Sequence, residues 1–216
     1  VLVSGAGNVA QHAAEKALYL GGKVITFSDS QGTLHDDQGF TQEKIDWVKA
    51  QKDARKPLSD YVEKFGGEWL PDTKPWQFAA DIALPCATQN EVCEQEAKQL
   101  VESGVKYVVE GANMPLDVQA IDIVRSHGIT YAPGKAANAG GVAVSGLEFC
   151  QNSVRQYKSF SELDEKLQGI MKNIHDDLLS AAKEYGKTKD VVDYMTGANV
   201  AGFLKVANAL VAYGIL

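Results

Sequence analysis

The sequence is short of features that would place it in several broad classes of protein. No run of apolar residues approaches the roughly 18 that a membrane-spanning helix needs. The formal net charge of -7 argues against a general nucleic-acid-binding protein, which normally carries a basic surface. We therefore expect neither a membrane nor a nucleic acid as a partner.

Cysteine is scarce as well. The three cysteines, Cys86, Cys93 and Cys150, are odd in number and loosely spaced, which is typical of reduced thiols in a reducing compartment such as the cytoplasm. No group of cysteine and histidine residues has the spacing of a zinc site, and we expect no metal.

The beginning of the sequence lacks an initiator methionine, a signal peptide and any lead-in to the first apolar segment. We expect the chain to be a fragment of a longer protein, cut at or near a domain boundary.

The first 27 residues predict a strand, a helix and a second strand. The apolar segment 1–4 predicts a buried parallel strand, apolar residues at helical spacing predict a helix over 9–20, and the β-branched segment 23–27 predicts a second strand. Strand, helix and strand within about 30 residues form a βαβ unit.

Strands and helices alternate up to residue 132, and only helices follow. The remaining predicted strands are 81–87, 106–110 and 129–132; the remaining predicted helices are 41–49, 58–65, 90–103 with Asn90 as its cap, 116–126, 142–157, 161–185 and 191–213 with a break at 197–199. This order predicts an α/β fold: a doubly wound, Rossmann-like, mostly parallel sheet with helices on both faces and a helical C-terminal layer. We expect a dinucleotide-binding domain over 1–150 and C-terminal helices over 151–216.

The turn after the first strand reads Gly5-Ala6-Gly7-Asn8-Val9-Ala10. Gly5 permits a tight turn, Gly7 lets the backbone approach a pyrophosphate, and the small Ala10 lets helix and strand pack closely. The helix N-terminus adds N–H groups and a partial positive charge. The turn therefore predicts a dinucleotide site.

The segment Ser28-Asp29-Ser30 follows the second strand, where the adenosine ribose of a dinucleotide is recognised. The acidic residue favours a ribose with a free 2′-hydroxyl, as in NAD. The two serines, together with the basic residues of the next segment, favour a 2′-phosphate, as in NADP. On spacing alone a solvated helix face is favoured for those basic residues, which are Lys44, Lys49, Lys52, Arg55 and Lys56.

Three further loops, 85–90, 110–115 and 134–141, follow predicted strands and are rich in small and amide residues. Ligands of such folds lie beyond the carboxyl ends of the strands. Small residues such as Ala87 and Gly111 allow close backbone approach, and amides both donate and accept hydrogen bonds. The helix predicted after 140–141 carries Val142 and Ser145, and a serine near a helix N-terminus suits a carboxylate or is an ordinary surface hydroxyl.

These segments together resemble the glutamate dehydrogenases, specifically the cofactor-binding half of the NADP-dependent type from bacteria and fungi. The resemblance covers essentially the whole chain in order, and the segments that carry it are 3–11, 27–32, 84–91, 110–115, 133–142 and 197–203. It implies reversible oxidative deamination of L-glutamate to 2-oxoglutarate and ammonium, with a hydride passing to NADP, in a homohexamer.

The resemblance also implies roles for single residues. Ser30 and Lys52 would hold the 2′-phosphate with Ser28 and Asp29 beside it, and Asn8 and Val9 would contact the pyrophosphate. The nicotinamide and its ribose would be positioned by Thr88, Gln89, Asn113 and Asn138. Val142 and Ser145 would line the substrate pocket, with Ser145 reaching the side-chain carboxylate.

The sequence departs from that family in one respect. The family's substrate domain, which carries a catalytic lysine and a catalytic aspartate, has no counterpart among these residues, so we expect no catalytic residue and no turnover by this chain alone. Two alternatives stay open: a dehydrogenase of leucine, phenylalanine or valine, and a non-catalytic module that senses a nucleotide.

Overall fold

The computed structural model describes residues 1–186 and 191–214. Two units are resolved by their internal packing, a first unit of Val1–Tyr131 and a second unit of Ala132–Leu216. The first unit contains β1 (Leu2–Val3), α1 (Asn8–Tyr19), β2 (Thr26–Asp29), β3 (Gly32–His35), α2 (Gln42–Asp53), α3 (Tyr61–Phe65), β4 (Glu68–Pro71), β5 (Ile82–Leu84), α4 (Glu94–Glu102), β6 (Tyr107–Val109) and α5 (Val118–Ser126), with 3-10 turns at Leu58–Asp60 and Pro75–Gln77. The last strand, β7 (Thr130–Ala132), crosses the boundary between the two units. The second unit contains α6 (Gly134–Ala137), α7 (Ala139–Val154), α8 (Phe160–Tyr185) and α9 (Tyr194–Ala212). None of these helices is both long and apolar enough to cross a membrane.

The main sheet has four strands in the order β1-β5-β6-β7. β5 runs parallel to β1, with Ala83 opposite Leu2, and parallel to β6, with Ile82 opposite Tyr107. The strands are short, apolar and separated by helices, which is the pattern of a parallel sheet covered on its faces. The predicted α/β fold with a parallel sheet and a helical C-terminal layer is confirmed.

The second strand differs from the prediction. β2 begins at Thr26 rather than at residue 23, and it belongs to a separate antiparallel sheet in the order β2-β3-β4. It still lies beside β1: the N–H of Ile25 donates to the carbonyl of Val1 at 3.0 Å, and the Thr26 hydroxyl accepts from the N–H of Val3 at 2.9 Å and donates to its carbonyl at 3.1 Å. A side-chain hydroxyl thus replaces part of the backbone ladder between the two strands.

Three helix predictions also need correction. Asn90 does not cap α4, because it has a left-handed backbone with a φ of 57°, and the helix starts only at Glu94. α7 begins at Ala139 and not at Val142. α9 runs unbroken through 197–199, and Gly197 packs there against α8: an added Cβ would lie 2.4 Å from the Leu178 carbonyl oxygen. The glycine permits close helix packing and does not end the helix.

The core of the first unit lies between α1, α2 and the two sheets. Its buried side chains include Phe27 of β2, whose ring meets that of Phe40 edge-on at a centroid distance of 4.8 Å. Ile45 and Val48 bury one face of α2, and Thr41 caps that helix by accepting from the N–H of Lys44. This packing places the C-terminal end of α2 and the turn after it, residues 52–57, beside the end of β2.

The second unit is built from helices that begin directly after β7. Ser159 caps α8 by accepting from the N–H of Glu162, whose carboxylate accepts in return from the N–H of Ser159 at 2.8 Å. The first unit ends at Tyr131 and the second begins at Ala132, whereas the division expected at residue 150 falls inside α7. The functional division at 150 stays a prediction.

Candidate cofactor site

The turn between β1 and α1 depends on glycine at its first position. Gly5 has a φ of +79°, and a Cβ placed on it would lie 3.0 Å from Cα of Ala87 and 3.1 Å from the carbonyl oxygen of Cys86. Only glycine suits both the backbone and the space. A Cβ on Gly7, by contrast, would have no atom within 4 Å. The open space at Gly7 leaves room for a ligand to approach the backbone.

Neighbouring groups hold this turn in place. The N–H of Gly5 donates to Oγ of Ser28 at 2.9 Å, and the N–H of Ser28 donates to the carbonyl of Gly5 at 3.1 Å. The first backbone bond of α1 runs from the N–H of Gln11 to the carbonyl of Gly7, so the N–H groups of Asn8 and Val9 precede the helical repeat. A helix N-terminus of this kind binds phosphate groups.

A cleft of about 720 Å³ opens at this turn, here called the main cleft. It brings together nine of the residues predicted from sequence, namely Gly5, Gly7, Asn8, Val9, Ser28, Asp29, Ser30, Ala87 and Thr88. Its wall also contains residues that the sequence did not single out: Ala6, Gly32, Asp72, Thr73, Lys74, Cys86 and Glu91. The ends of β1, β2 and β5 therefore meet around one ligand-sized space.

A second cavity of about 330 Å³, here called the cationic cavity, shares Asp29 and Ser30 with the main cleft. Its other lining residues are Gln31, Lys52, Arg55, Lys56 and Pro57. The Lys52 ammonium lies 4.0 Å from one carboxylate oxygen of Asp29, and the other oxygen accepts from the N–H of Gln31 at 2.9 Å. Three cationic side chains and one carboxylate thus line this cavity, and the excess of positive charge suits an anionic group.

The loop after β6 is tied to the loop after β5. The N–H groups of Gly111 and Ala112 both donate to the carbonyl of Pro85 at 2.9 Å, and a Cβ on Gly111 would lie 2.5 Å from Sγ of Cys86. Asn113 is exposed on this loop, and Gln89 is exposed on the other. The lining of the main cleft includes neither of these two amides.

The three remaining predicted residues lie in the second unit. Asn138 connects α6 to α7, and Val142 is 73% exposed. Ser145 is exposed and donates to the carbonyl of Gly141 at 3.2 Å. Because α7 begins at Ala139, Ser145 lies in the second turn of that helix and not at its N-terminus.

The lining of the main cleft includes one buried carboxylate, that of Glu91. Oε1 of Glu91 accepts from Oγ of Ser4 at 2.8 Å and from the N–H of Ala87 at 3.0 Å. Burial raises the pKa of Glu91, and the hydrogen bond from Ser4 opposes part of that shift. Burial, helped by the charge of Glu91, also raises the pKa of Cys86 to about 12. Ser4 and Glu91 fall inside the sequence segments already noted, but no local pattern links them.

Metal ligation finds no support among residues 1–186 and 191–214, where no three His, Cys, Asp or Glu side chains are grouped closely enough to hold an ion. The side chains of the main cleft include hydroxyls, the amide of Asn8, the ammonium of Lys74 and the carboxylates of Asp29, Asp72 and Glu91.

Comparison with known proteins gives the same reading of the fold. A family model described as Glutamate/Leucine/Phenylalanine/Valine dehydrogenase matches residues 1–214. The chain is 64% identical to an NADP-specific glutamate dehydrogenase of Psychrobacter sp. and 48% identical to one of Escherichia coli, in both cases over 100% of this chain and 48% of the relative.

Among solved structures, Plasmodium falciparum glutamate dehydrogenase superposes with a TM-score of 0.93 at 42% identity, over 98% of this chain and 45% of the other. The chain spans about half the length of the relatives it matches. The glycine turn, the sheet behind it and the match over nearly every residue lead to one assignment: the chain belongs to the Glutamate/Leucine/Phenylalanine/Valine dehydrogenase family.

Proposed function

We propose that this chain is the cofactor-binding part of an NADP-dependent glutamate dehydrogenase, which converts L-glutamate reversibly to 2-oxoglutarate and ammonium. The observation that carries the proposal is that two neighbouring cavities share Asp29 and Ser30 in their lining. The main cleft includes a helix N-terminus, and the cationic cavity is lined by three cations. A dinucleotide with an additional phosphate on its adenosine ribose matches that order of groups.

The NADP assignment rests on how the charges are arranged. In an NAD site the carboxylate after the second strand accepts from ribose hydroxyls. Here one oxygen of Asp29 already accepts from the N–H of Gln31, and the other faces Lys52. Ser30 and Lys52, with Arg55 and Lys56 in the same cavity, would hold the 2′-phosphate. Six of the relatives at 48% identity or more are named NADP-specific.

The other end of the dinucleotide would meet the loops after β5 and β6. Ala87 and Thr88 line the main cleft, and Gln89, Gly111 and Asn113 lie on the two loops that are bonded together. With Asn138 they would hold the nicotinamide ring and its ribose. NADP bound here would supply the hydride acceptor, and the residues named above would bind and orient it.

The choice of glutamate within the family rests on the relatives and on Ser145. The relatives that match over the whole chain are named glutamate dehydrogenases. A serine hydroxyl in α7, beside Val142, would suit the second carboxylate of glutamate. Residues 1–150 would then serve the cofactor, residues 151–216 would face a substrate domain, and the whole enzyme would be a cytoplasmic homohexamer. Replacing Ser145 by Ala in the whole enzyme should raise the KM for glutamate and leave the affinity for NADPH unchanged.

The 2′-phosphate assignment is tested by Lys52→Ala. Losing one charged contact should weaken NADPH binding about tenfold and leave NADH binding unchanged. Lys49→Ala is the matched control, because Lys49 lies on the same helix but bonds to Glu15 at 2.5 Å, outside the cationic cavity. An unchanged ratio of the two affinities in Lys52→Ala would show that the 2′-phosphate binds elsewhere.

A further inference from the structure

Two side chains hold the start of the loop after β5. The N–H of Cys86 donates to Oγ of Ser4 at 2.9 Å, and Oγ of Ser4 donates to Oε1 of Glu91 at 2.8 Å. The same carboxylate accepts from the N–H of Ala87 at 3.0 Å. Two consecutive backbone N–H groups, those of Cys86 and Ala87, are thus bound by Ser4 and Glu91.

This loop forms one wall of the main cleft, and the glycine turn forms the wall beside it. Ser4 directly precedes Gly5, and a Cβ on Gly5 would already be 3.0 Å from Cα of Ala87. The loop and the glycine turn are in contact at Gly5 and Ala87. The width of the cleft between them therefore depends on the direction in which the loop leaves β5. The hydrogen bonds of Glu91 fix that exit.

Glu91 is itself held from the other side. The Lys74 ammonium donates to the carbonyl of Glu91 at 2.7 Å and to Oε1 of Glu96 at 2.6 Å. The second oxygen of Glu96 accepts from the N–H of Cys93 at 2.9 Å. The backbone of Glu91 is thus anchored, through Lys74 and Glu96, to the start of α4.

We propose that Glu91 is a positioning residue for the nicotinamide half of the cofactor. Its carboxylate, together with Ser4, sets the position of Ala87 and Thr88 relative to the glycine turn before the ligand arrives. The inference rests on the proposed function, because that function assigns this wall to the nicotinamide end. An unanchored loop would have to be ordered by the ligand, which weakens binding. None of these hydrogen bonds involves Ser30 or Lys52, which hold the adenosine end in the proposed function.

Three variants separate positioning from general stability. Glu91→Met removes both acceptor oxygens at similar length, Glu91→Gln keeps one acceptor for Ser4 and Ala87, and Ser4→Ala removes the link to Cys86. Glu94→Met is the control, since Glu94 is an exposed residue of α4 that bonds only to Lys98 among the contacts described. The probes are NADPH, which has both halves, and 2′,5′-ADP, which carries only the adenosine end. Each variant is first checked by thermal unfolding.

Glu91→Met should raise the Kd for NADPH about tenfold and change that for 2′,5′-ADP less than about twofold. Ser4→Ala should give the same selective pattern more weakly, and Glu91→Gln should recover most of the affinity. An equal loss for both probes, or a folded Glu91→Met with unchanged NADPH affinity, would overturn the inference alone. A wild-type chain that binds neither probe would overturn the proposed function as well.

Discussion

Ser4 and Glu91 are 87 positions apart in the chain, and their side chains are joined by a hydrogen bond of 2.8 Å beside the main cleft. The bond connects the end of β1 with the segment that leads into α4. It places the Glu91 carboxylate against the loop that the cofactor is proposed to contact. Burial raises the pKa of that carboxylate.

The first prediction concerns the pH dependence of stability at Glu91. Its pKa in the folded chain is raised above the ordinary value of 4.5, so the folded state disfavours the charged form. Any stability that this group contributes is complete below the ordinary value and is lost as the pH rises through the folded pKa. Glu91→Gln should therefore gain free energy of unfolding relative to wild type between about pH 4 and about pH 7. Urea unfolding at the two pH values measures this, and a difference that does not vary with pH would contradict it.

Asp36 should behave in the opposite way. Burial alone would raise its pKa, but hydrogen bonds from Lys44 and Tyr61, both at 2.6 Å, outweigh burial and hold the pKa below the ordinary 3.8. Its contribution is present above 3.8 and is lost as the pH falls through the lower folded value.

Asp36→Asn should consequently lower the free energy of unfolding by about 1–3 kcal/mol at neutral pH, and the deficit should shrink in acid. Asp37→Asn is the control, because the Asp37 side chain is 85% exposed and should change stability by less than about 0.5 kcal/mol. A deficit that grows in acid would show that the network is not held by the charge of Asp36.

The two glycines of the turn should separate folding from binding. Gly5→Ala forces an L side chain into a positive φ and against Ala87, so it should lower the free energy of unfolding by about 1–3 kcal/mol and weaken NADPH binding. Gly7 has a φ of -82° and open space around it, so Gly7→Ala should unfold at the wild-type temperature and lose affinity for NADPH only. Calorimetric unfolding and NADPH fluorescence titration would be run on both. Equal stability losses in the two variants would be inconsistent with this account.

The cysteines should differ sharply in reactivity. Burial raises the pKa of Cys86 to about 12, so almost no thiolate is present near neutral pH, whereas Cys150 is exposed on α7. Iodoacetamide followed by peptide mass spectrometry should find Cys150 alkylated in the folded chain and Cys86 only after denaturation. Alkylation of Cys86 and Cys150 at the same rate in the folded chain would contradict the burial of Cys86.

The glycine turn and the parallel sheet could be predicted from sequence because both depend on neighbouring residues. Gly5, Gly7 and Val9 lie within five positions, and β5 and β6 are short apolar runs between helices. The antiparallel strands β3 and β4 could not be predicted in this way. Gly32–His35 is buried at every position and Glu68–Pro71 ends in proline, so neither segment shows the alternation of apolar and polar residues that indicates a strand.

Other features depend on contacts between distant segments. Gly197 looked like a helix break, but its role is set by Leu178 on another helix. Asn90 looked like a cap, but its N–H donates to the carbonyl of Met114, which turns the chain before α4 begins. The pairing of Ser4 with Glu91 has the same origin, since nothing near either residue in the sequence indicates the other.

The central claim is that the first unit holds NADP through the main cleft and the cationic cavity. The most direct test is a titration of the 216-residue chain with NADPH and, separately, with NADH, followed by nicotinamide fluorescence. The account predicts that NADPH binds at least about tenfold more tightly, because only its 2′-phosphate reaches Lys52 and its cationic neighbours. Equal affinity for the two, or tighter binding of NADH, would contradict it.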